Sequence, residues 1–201
     1  MIQTNLTLFV MVLSIIISGI HPADYLTWLM EIAPIGIGLP FVYYYGKKNK
    51  ISTALLICIA IHSIVLAIGG HYTYANVPLG NWFVQIGVFS RNNYDKIGHF
   101  MQGLTPTLLL IEIFNRKRMG LNYPHFIKII AIFVCAGFSA IYEIIEWFAA
   151  ILLGSGADEF LGTQGYAWDT QSDMLFAILG GIFGIVFLSP FSYQNKNEKY
   201  S

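Results

Sequence analysis

Six apolar runs separated by short polar segments make up most of this chain. They cover approximately residues 6–20, 26–45, 51–68, 97–114, 126–153 and 174–188. A helix needs about 20 apolar residues to cross a bilayer, with roughly 17 to 25 tolerated. The first run is therefore short for a crossing. Pro34 and Pro40 in the second run and Pro106 in the fourth each remove a backbone donor and are expected to kink their helices. The pattern predicts an all-α, polytopic membrane helix bundle of about six transmembrane helices, one domain over residues 1–201. The segment before the first run, MIQTNLT, has no Lys or Arg, and the run ends in SGIHPADY without a small-residue cleavage site, so a retained first helix is expected.

The connections alternate in chemistry. GKKNK and NRKRMGLNYPHFIK are short and basic, which marks them as cytoplasmic. HPADY, 69–96 and 154–173 then lie outside, the tail QNKNEKYS returns inside, and both termini are cytoplasmic. The segment 69–96 carries Tyr72, Tyr74, Trp82, Phe83 and Phe89, of which Tyr and Trp suit headgroup depth. Within it, 78–90 is expected to form a short interfacial helix or a re-entrant piece.

Composition agrees with the runs. The 201 residues are 56% hydrophobic and 11% charged, against about 25% charged in soluble domains. Formal net charge is zero and there is no long basic run, so nothing points to nucleic acid. Cys58 and Cys135 both fall in apolar runs, where buried packing is their expected role. Gly180 and Gly184 form a G-x-x-x-G spacing suited to close packing within the bundle or to a dimer contact.

Charge matters through its placement. The predicted topology puts Asp24, Glu31, Asp95, Glu143, Glu146, Asp158, Glu159, Asp169 and Asp173 toward the outer side, with only Arg91 and Lys96 as bases. Lys47, Lys48, Lys50, Arg116, Lys117, Arg118, Lys128, Lys196 and Lys199 fall on the other side with Glu112 and Glu198. The positive-inside rule accounts for the bases but not for the acids, and ionisable groups inside apolar spans are costly and usually functional.

Four clusters converge on the outer side. In YDKIGHFMQG, Asp95 and His99 share a helical face, with Gln102 about a turn further. In YEIIEW, Glu143 and Glu146 share a face inside a long span. In WDTQSD, Asp169 and Asp173 share a face where the last helix begins, and GGHYTY places His71 just beyond the third span. Carboxylates crowded in low dielectric repel one another. They can stay protonated, pair with a base, or bind a metal ion. Carboxylates with one imidazole suit Zn²⁺, Mn²⁺ or Fe²⁺, and oxygen ligands alone suit Mg²⁺ or Ca²⁺. His99, Asp95, Glu143, Glu146, Asp169 and Asp173 are thus candidate ligands for a divalent ion (Zn, Mn or Mg). Glu143 and Glu146 are the candidate catalytic carboxylates, and His71 and Gln102 are secondary candidates.

Plainer roles compete at each position. Asp95 and Asp169 can cap helices, His99 and His62 can be satisfied packing residues, and Glu143 and Glu146 can be protonated and hydrogen-bonded near Tyr142 or Trp147. Asp158 and Glu159 suit solvated loop positions, Glu31 has no assigned partner, and Glu112 is expected to pair near the basic loop.

At RNNYDKIGHFMQG, SAIYEIIEW and GTQGYAWDTQSDM the chain resembles the YjdF-type bacterial inner-membrane proteins, a family of unknown function, over residues 69–184. More distantly, DK-x-x-HF, an E-rich helix and D-x-x-x-D opening a final apolar helix are similar to VanZ-type proteins, a family associated with glycopeptide (teicoplanin) resistance. The resemblance implies a multi-pass protein of the bacterial inner membrane and marks the same residues. Two functions are expected to compete with a structural or accessory role in which the acids are merely hydrogen-bonded. One is a metal-dependent hydrolase or transferase acting on a lipid or lipid-linked headgroup at the outer face. The other is a non-enzymatic binder or transporter of a cation, a proton or a small amphiphile.

Overall fold

A computed structural model describes residues 2–117, 123–153 and 164–191, and every regular element in them is helical. The helices are α1 (Ile2–Ser18), α2 (Tyr25–Lys48), α3 (Thr53–Tyr72), α4 (Pro78–Gln85), α5 (Tyr94–Arg116), α6 (Pro124–Leu153) and α7 (Asp169–Phe183). A 3₁₀ turn, Tyr74–Asn76, precedes α4, and α7 runs on through a wider turn, Gly184–Leu188, into Ser189–Phe191. Five helices are long and apolar enough to cross a membrane, and α1, at 17 residues, is shorter. α2 and α5 run through Pro34, Pro40 and Pro106 as continuous helices. Asp158, Glu159, Arg118 and the tail bases lie outside the described residues.

α5 is the axis of the bundle. It packs on α3 on one side and on α6 and α7 on the other, and its pairing with α7 is the most extensive. α1, α2 and α3 form a mutual trio, joined through Met11, Ile35, Val42 and Leu55. The outward surfaces are apolar. Phe133, Phe138, Ile141, Ile144, Ile145 and Phe148 of α6 are all exposed, the surface that a bilayer, not water, solvates. Both cysteines are free and buried. Gly180 and Gly184 sit against Phe100 and Leu104 of α5, so this spacing packs the bundle from within.

The two ends differ. At the basic end, Glu112 is fully buried. Its carboxylate accepts from Arg116 at 3.0 Å and from the Ser52 amide at 3.2 Å, and Arg116 also donates to the Lys50 carbonyl. The expected pairing of Glu112 beside the basic loop is therefore present, and it anchors the start of α3 to the end of α5. At the opposite end the α1–α2 turn is latched to α3. Trp28 Nε1 donates to Ser18 Oγ at 3.0 Å, and the Ala23 amide donates to the His71 carbonyl at 2.8 Å.

Asp24 caps α2, accepting from the Thr27 amide at 2.7 Å. That bond holds its carboxyl below the ordinary value. A depressed folded pKa stabilises above the unfolded value, and the stabilisation is lost as pH falls. Asp24→Ala should cost about 1 kcal/mol at neutral pH. The gap in melting temperature between wild type and variant should shrink below about pH 4. A gap unchanged down to pH 2.5 would remove the cap from this account.

Candidate functional site

α5 and α7 each open on a polar turn, Tyr94-Asp95-Lys96 and Asp169-Thr170-Gln171-Ser172-Asp173. Either turn alone would be costly in apolar surroundings, and facing each other they pair. Lys96, only 6% exposed, places Nζ 2.7 Å from Asp169, 2.6 Å from Asp173 and 3.1 Å from Asp95. Arg91 donates to Asp169 and lies 3.5 Å from Asp95, with its guanidinium 4.7 Å from the centre of the Tyr166 ring. The helix caps are Asn93 and Trp168, with Asp95 and Asp169 inside the first turns. Both acids thus serve as partners of buried cations, and neither acts as a cap.

One layer deeper lies a second grouping. His99 Nδ1 is 3.0 Å from Gln102 Oε1, and its Nε2 is 3.5 Å from Asp173. An amide oxygen only accepts, so Nδ1 is the donor in this pairing and Nε2 is the nitrogen turned toward Asp173. Glu143 Oε1 lies 3.7 Å from Nδ1, is buried and has no hydrogen-bond partner. Ligand atoms of His99, Glu143 and Asp173 all fall within 4.8 Å of one another, as do those of Asp95, Asp169 and Asp173. The two groups are not equivalent. The Lys96 ammonium already occupies the centre of the all-aspartate group, whereas among the described residues no cation lies between the members of the histidine group, although Asp173 Oδ1 is shared with Lys96 at 2.6 Å.

The remaining candidates separate. Glu146, a turn further along α6, is within electrostatic range of Glu143 and Glu31 but joins neither group. Glu31, buried inside α2, accepts from Tyr142 Oη at 3.2 Å and also faces Tyr74. Burial first, and then the Glu31 carboxylate, holds the Tyr74 phenol well above its ordinary value. His71 Nδ1 bonds the Ser18 carbonyl at 2.9 Å, a structural latch outside both groups. His62 Nε2 is buried without a hydrogen-bond partner in mid-α3, within electrostatic range of His99.

The residues that organise this end were invisible to spacing. Asn92 is 2% exposed. Its Nδ2 lies 3.0 Å from the carbonyls of Ala75 and Val77 and 2.9 Å from Asn81 Oδ1, and its Oδ1 accepts from the Tyr94 amide at 3.1 Å. Its backbone also exchanges two bonds with the Gln164 carboxamide, at 3.1 and 2.8 Å. Asn92 therefore ties the α3–α4 connection, the start of α5 and the approach to α7 into one frame. The only sequence signal was its place between Arg91 and Asp95.

The family described as "Predicted membrane protein (DUF2238)" matches residues 4–193, which includes every residue of both groups. The chain belongs to that family. It is similar to "Inner membrane protein YjdF" of Escherichia coli (strain K12), with 44% identity over 190 residues, 93% of this chain and 89% of the relative. No solved structure matches it. With its five long apolar helices, the chain is a multi-pass protein of the inner membrane. The charged frame around Lys96 is thus a feature of a family member lodged in a bilayer, where each buried charge must find its partner within the protein.

Proposed function

We propose that this chain is a metal-dependent hydrolase or transferase acting on a lipid or lipid-linked headgroup at the outer face. The positive-inside rule puts the Lys47, Lys48, Lys50, Arg116 and Lys117 end in the cytoplasm. With α1 counted as a sixth crossing, both termini are inside and the His99 group faces out. The observation that carries the reading is the Glu143 Oε1 oxygen, buried and without a hydrogen-bond partner, 3.7 Å from His99 Nδ1 and grouped with Asp173. A buried carboxylate oxygen left unpaired is costly, and a divalent ion held by Glu143, Asp173 and His99 would offset that cost. One imidazole with two carboxylates suits Zn²⁺ or Mn²⁺ better than Mg²⁺. Gln102 supports the ligand by fixing its tautomer. Such an ion supplies an activated water and polarises a phosphoryl or carbonyl oxygen. Glu146, within electrostatic range of Glu143, would be the second carboxylate and move a proton.

His62 favours a second reading, a cation or proton binder, because it extends the polar line from His99 toward mid-membrane. The two readings separate experimentally. Metal content of the purified protein by mass spectrometry, before and after reloading with Zn²⁺ or Mn²⁺, should be near one ion per chain. It should be lost in Glu143→Gln and Asp173→Asn, and Gln102→Leu should weaken affinity by about 10- to 100-fold. A wild-type protein that takes up no ion on reloading removes the metal reading. Proteoliposome flux that depends on His62 and Glu146 would then establish the second.

A further inference from the structure

The His99 group is closed on three sides. Toward the helix starts lie the ion-paired turns, with Lys96 held between Asp169 and Asp173. Between α5 and α7 the backbones meet at Gly103–Ala177 and Gly180–Phe100. Deeper in the bundle Thr107, Cys135 and Gly181 come together, and a Cβ on Gly181 would lie 3.0 Å from Thr107 Oγ1 and 3.5 Å from Cys135 Sγ. The fourth side differs. α2 packs on α1 and α3, and α6 on α5 and α7, with no extensive pairing of α2 with α6 among the described residues. A hydrogen bond from Tyr142 Oη to Glu31 Oε2, at 3.2 Å, joins these two helices. A Cβ on Gly70 of α3 would come within 3.0 Å of the Glu31 Cβ, so α2 sits tight on α3 here. From the α6 side, the Tyr142 ring stands edge-on to the His99 ring at a centroid distance of 6.3 Å. Tyr142 and Glu146 share a face of α6 and are half-buried, whereas Glu143, Asp169 and Asp173 are buried. Ile144, Ile145, Trp147 and Phe148 beside them are exposed, the kind of surface that lipid solvates.

We infer that a membrane lipid reaches the His99 group sideways from the bilayer, between α2 and α6, and that the Tyr142–Glu31 hydrogen bond closes this entrance. The two routes to the group differ in what must break. An approach from water, along the bundle axis, disrupts the buried ion pairs around Lys96, and parting such pairs is strongly unfavourable. The sideways approach breaks one hydrogen bond and swings one ring, a small cost that keeps the open form accessible as a minor state. A lipid taking this route leaves its chains in the bilayer and brings only its head past Glu146 to His99. The inference rests on the functional reading above only in taking that lipid as the substrate of the site.

Carbodiimides test the route, because they add to the carboxyl groups they can reach and exist in bilayer-soluble and water-soluble forms. The full chain in lipid nanodiscs, stripped of metal with a chelator, is treated with dicyclohexylcarbodiimide or with a water-soluble carbodiimide. Adducts are located by peptide mass spectrometry. The bilayer-soluble reagent should modify Glu146 first and Glu143 slowly, and the water-soluble one neither. Tyr142→Phe and Glu31→Leu each remove the closing bond and should speed modification of Glu143 about three- to tenfold, the population shift expected of one hydrogen bond. Glu31→Gln keeps an acceptor for Tyr142 and should behave as wild type. Unchanged Glu143 rates in the two opened variants, or a water-soluble reagent that modifies Glu143 as fast as the bilayer-soluble one, overturns the entrance. So does a matching gain in water-soluble modification of Asp173, which would show that the bond holds the fold and not a door. Glu31→Leu risks the fold, and Tyr142→Phe, which keeps the ring, decides if it is lost. Repeating the reaction after reloading with Zn²⁺ or Mn²⁺ keeps the two proposals apart. Protection of Glu143 by metal with no effect of Tyr142→Phe removes the entrance alone, and an effect of Tyr142→Phe without protection removes the metal reading alone.

Discussion

Gly180→Val should yield little or no folded protein. α5 and α7 meet backbone to backbone. A Cβ on Gly180 would fall on the Phe100 carbonyl, 2.8 Å from its carbon and 3.1 Å from the Leu104 amide nitrogen. A Cβ on Gly103 would fall on the Ala177 carbonyl in the same way, 2.9 Å from its Cα. No rotamer change relieves either clash, because the obstacle is main chain on a helix already packed on its other faces. Small residues allow this approach, and in a bilayer it is van der Waals contact of this kind that holds helices together. Overpacking at such a point should cost roughly 3 kcal/mol or more, a large part of a typical net stability of about 5–15 kcal/mol. The effect should also reach the site, since parting α5 from α7 draws Asp169 and Asp173 away from Lys96. Two controls sharpen the result. At Gly184 a Cβ meets the end of the flexible Leu104 side chain at 3.0 Å, so Gly184→Ala should be mild. Gly137 has nothing within 4 Å, and Gly137→Ala should be neutral or stabilise by up to about 1 kcal/mol through helix propensity alone. Thermal unfolding in detergent ranks all three. A Gly180→Val protein melting within 2–3 °C of wild type would show that the helices do not meet as described.

Much of this architecture was legible in the sequence, and where the reading fell short the cause is physical. The apolar runs located the long helices because a bilayer admits few other solutions for the backbone. The apolar runs themselves begin later than the helices at the site: the last at residue 174 and the fourth at 97, whereas α7 begins at Asp169 and α5 at Tyr94, in line with the shared faces read for Asp169 with Asp173 and for Asp95 with His99. In both cases the missing turn is polar, and hydropathy ends a span where polar residues begin. These turns are helical and buried because they neutralise one another, a property of the pair that neither sequence segment shows alone. The same reasoning accounts for Arg91 and Lys96. They were visible as the two bases on the acidic side, but spacing could not show that they fill the aspartate group and, among the described residues, not the His99, Glu143 and Asp173 group. Asn92 was not anticipated at all, since its partners Ala75, Val77, Asn81 and Gln164 are scattered along the chain.

Lys96→Met should be the most damaging change within the site that leaves the helix packing untouched. Methionine matches the length of the lysine stem and fills nearly the same space, so the variant isolates the charge. Removing the ammonium strands Asp95, Asp169 and Asp173 with Arg91 alone, and carboxylates whose oxygens all lie near one Nζ must then repel or take up protons. Breaking a buried ion pair by deleting one partner typically costs about 3–5 kcal/mol, because the charge left behind stays desolvated. The loss should therefore be partly restored by removing charge from the other side. Lys96→Met with Asp173→Asn should be more stable than Lys96→Met alone, with a coupling of about 0.5–3 kcal/mol in a double-mutant cycle. Lys96→Arg keeps the charge but replaces a compact ammonium with a planar fork that matches one carboxylate at a time, so it should fall between wild type and Lys96→Met. Chemical unfolding in detergent, read by tryptophan fluorescence, measures all four proteins. If Lys96→Met and wild type unfold alike, the three aspartates are protonated in the folded protein and the ammonium is not what holds α5 to α7. If the double variant is no better than the single one, the lysine stem and not its charge is what the fold needs.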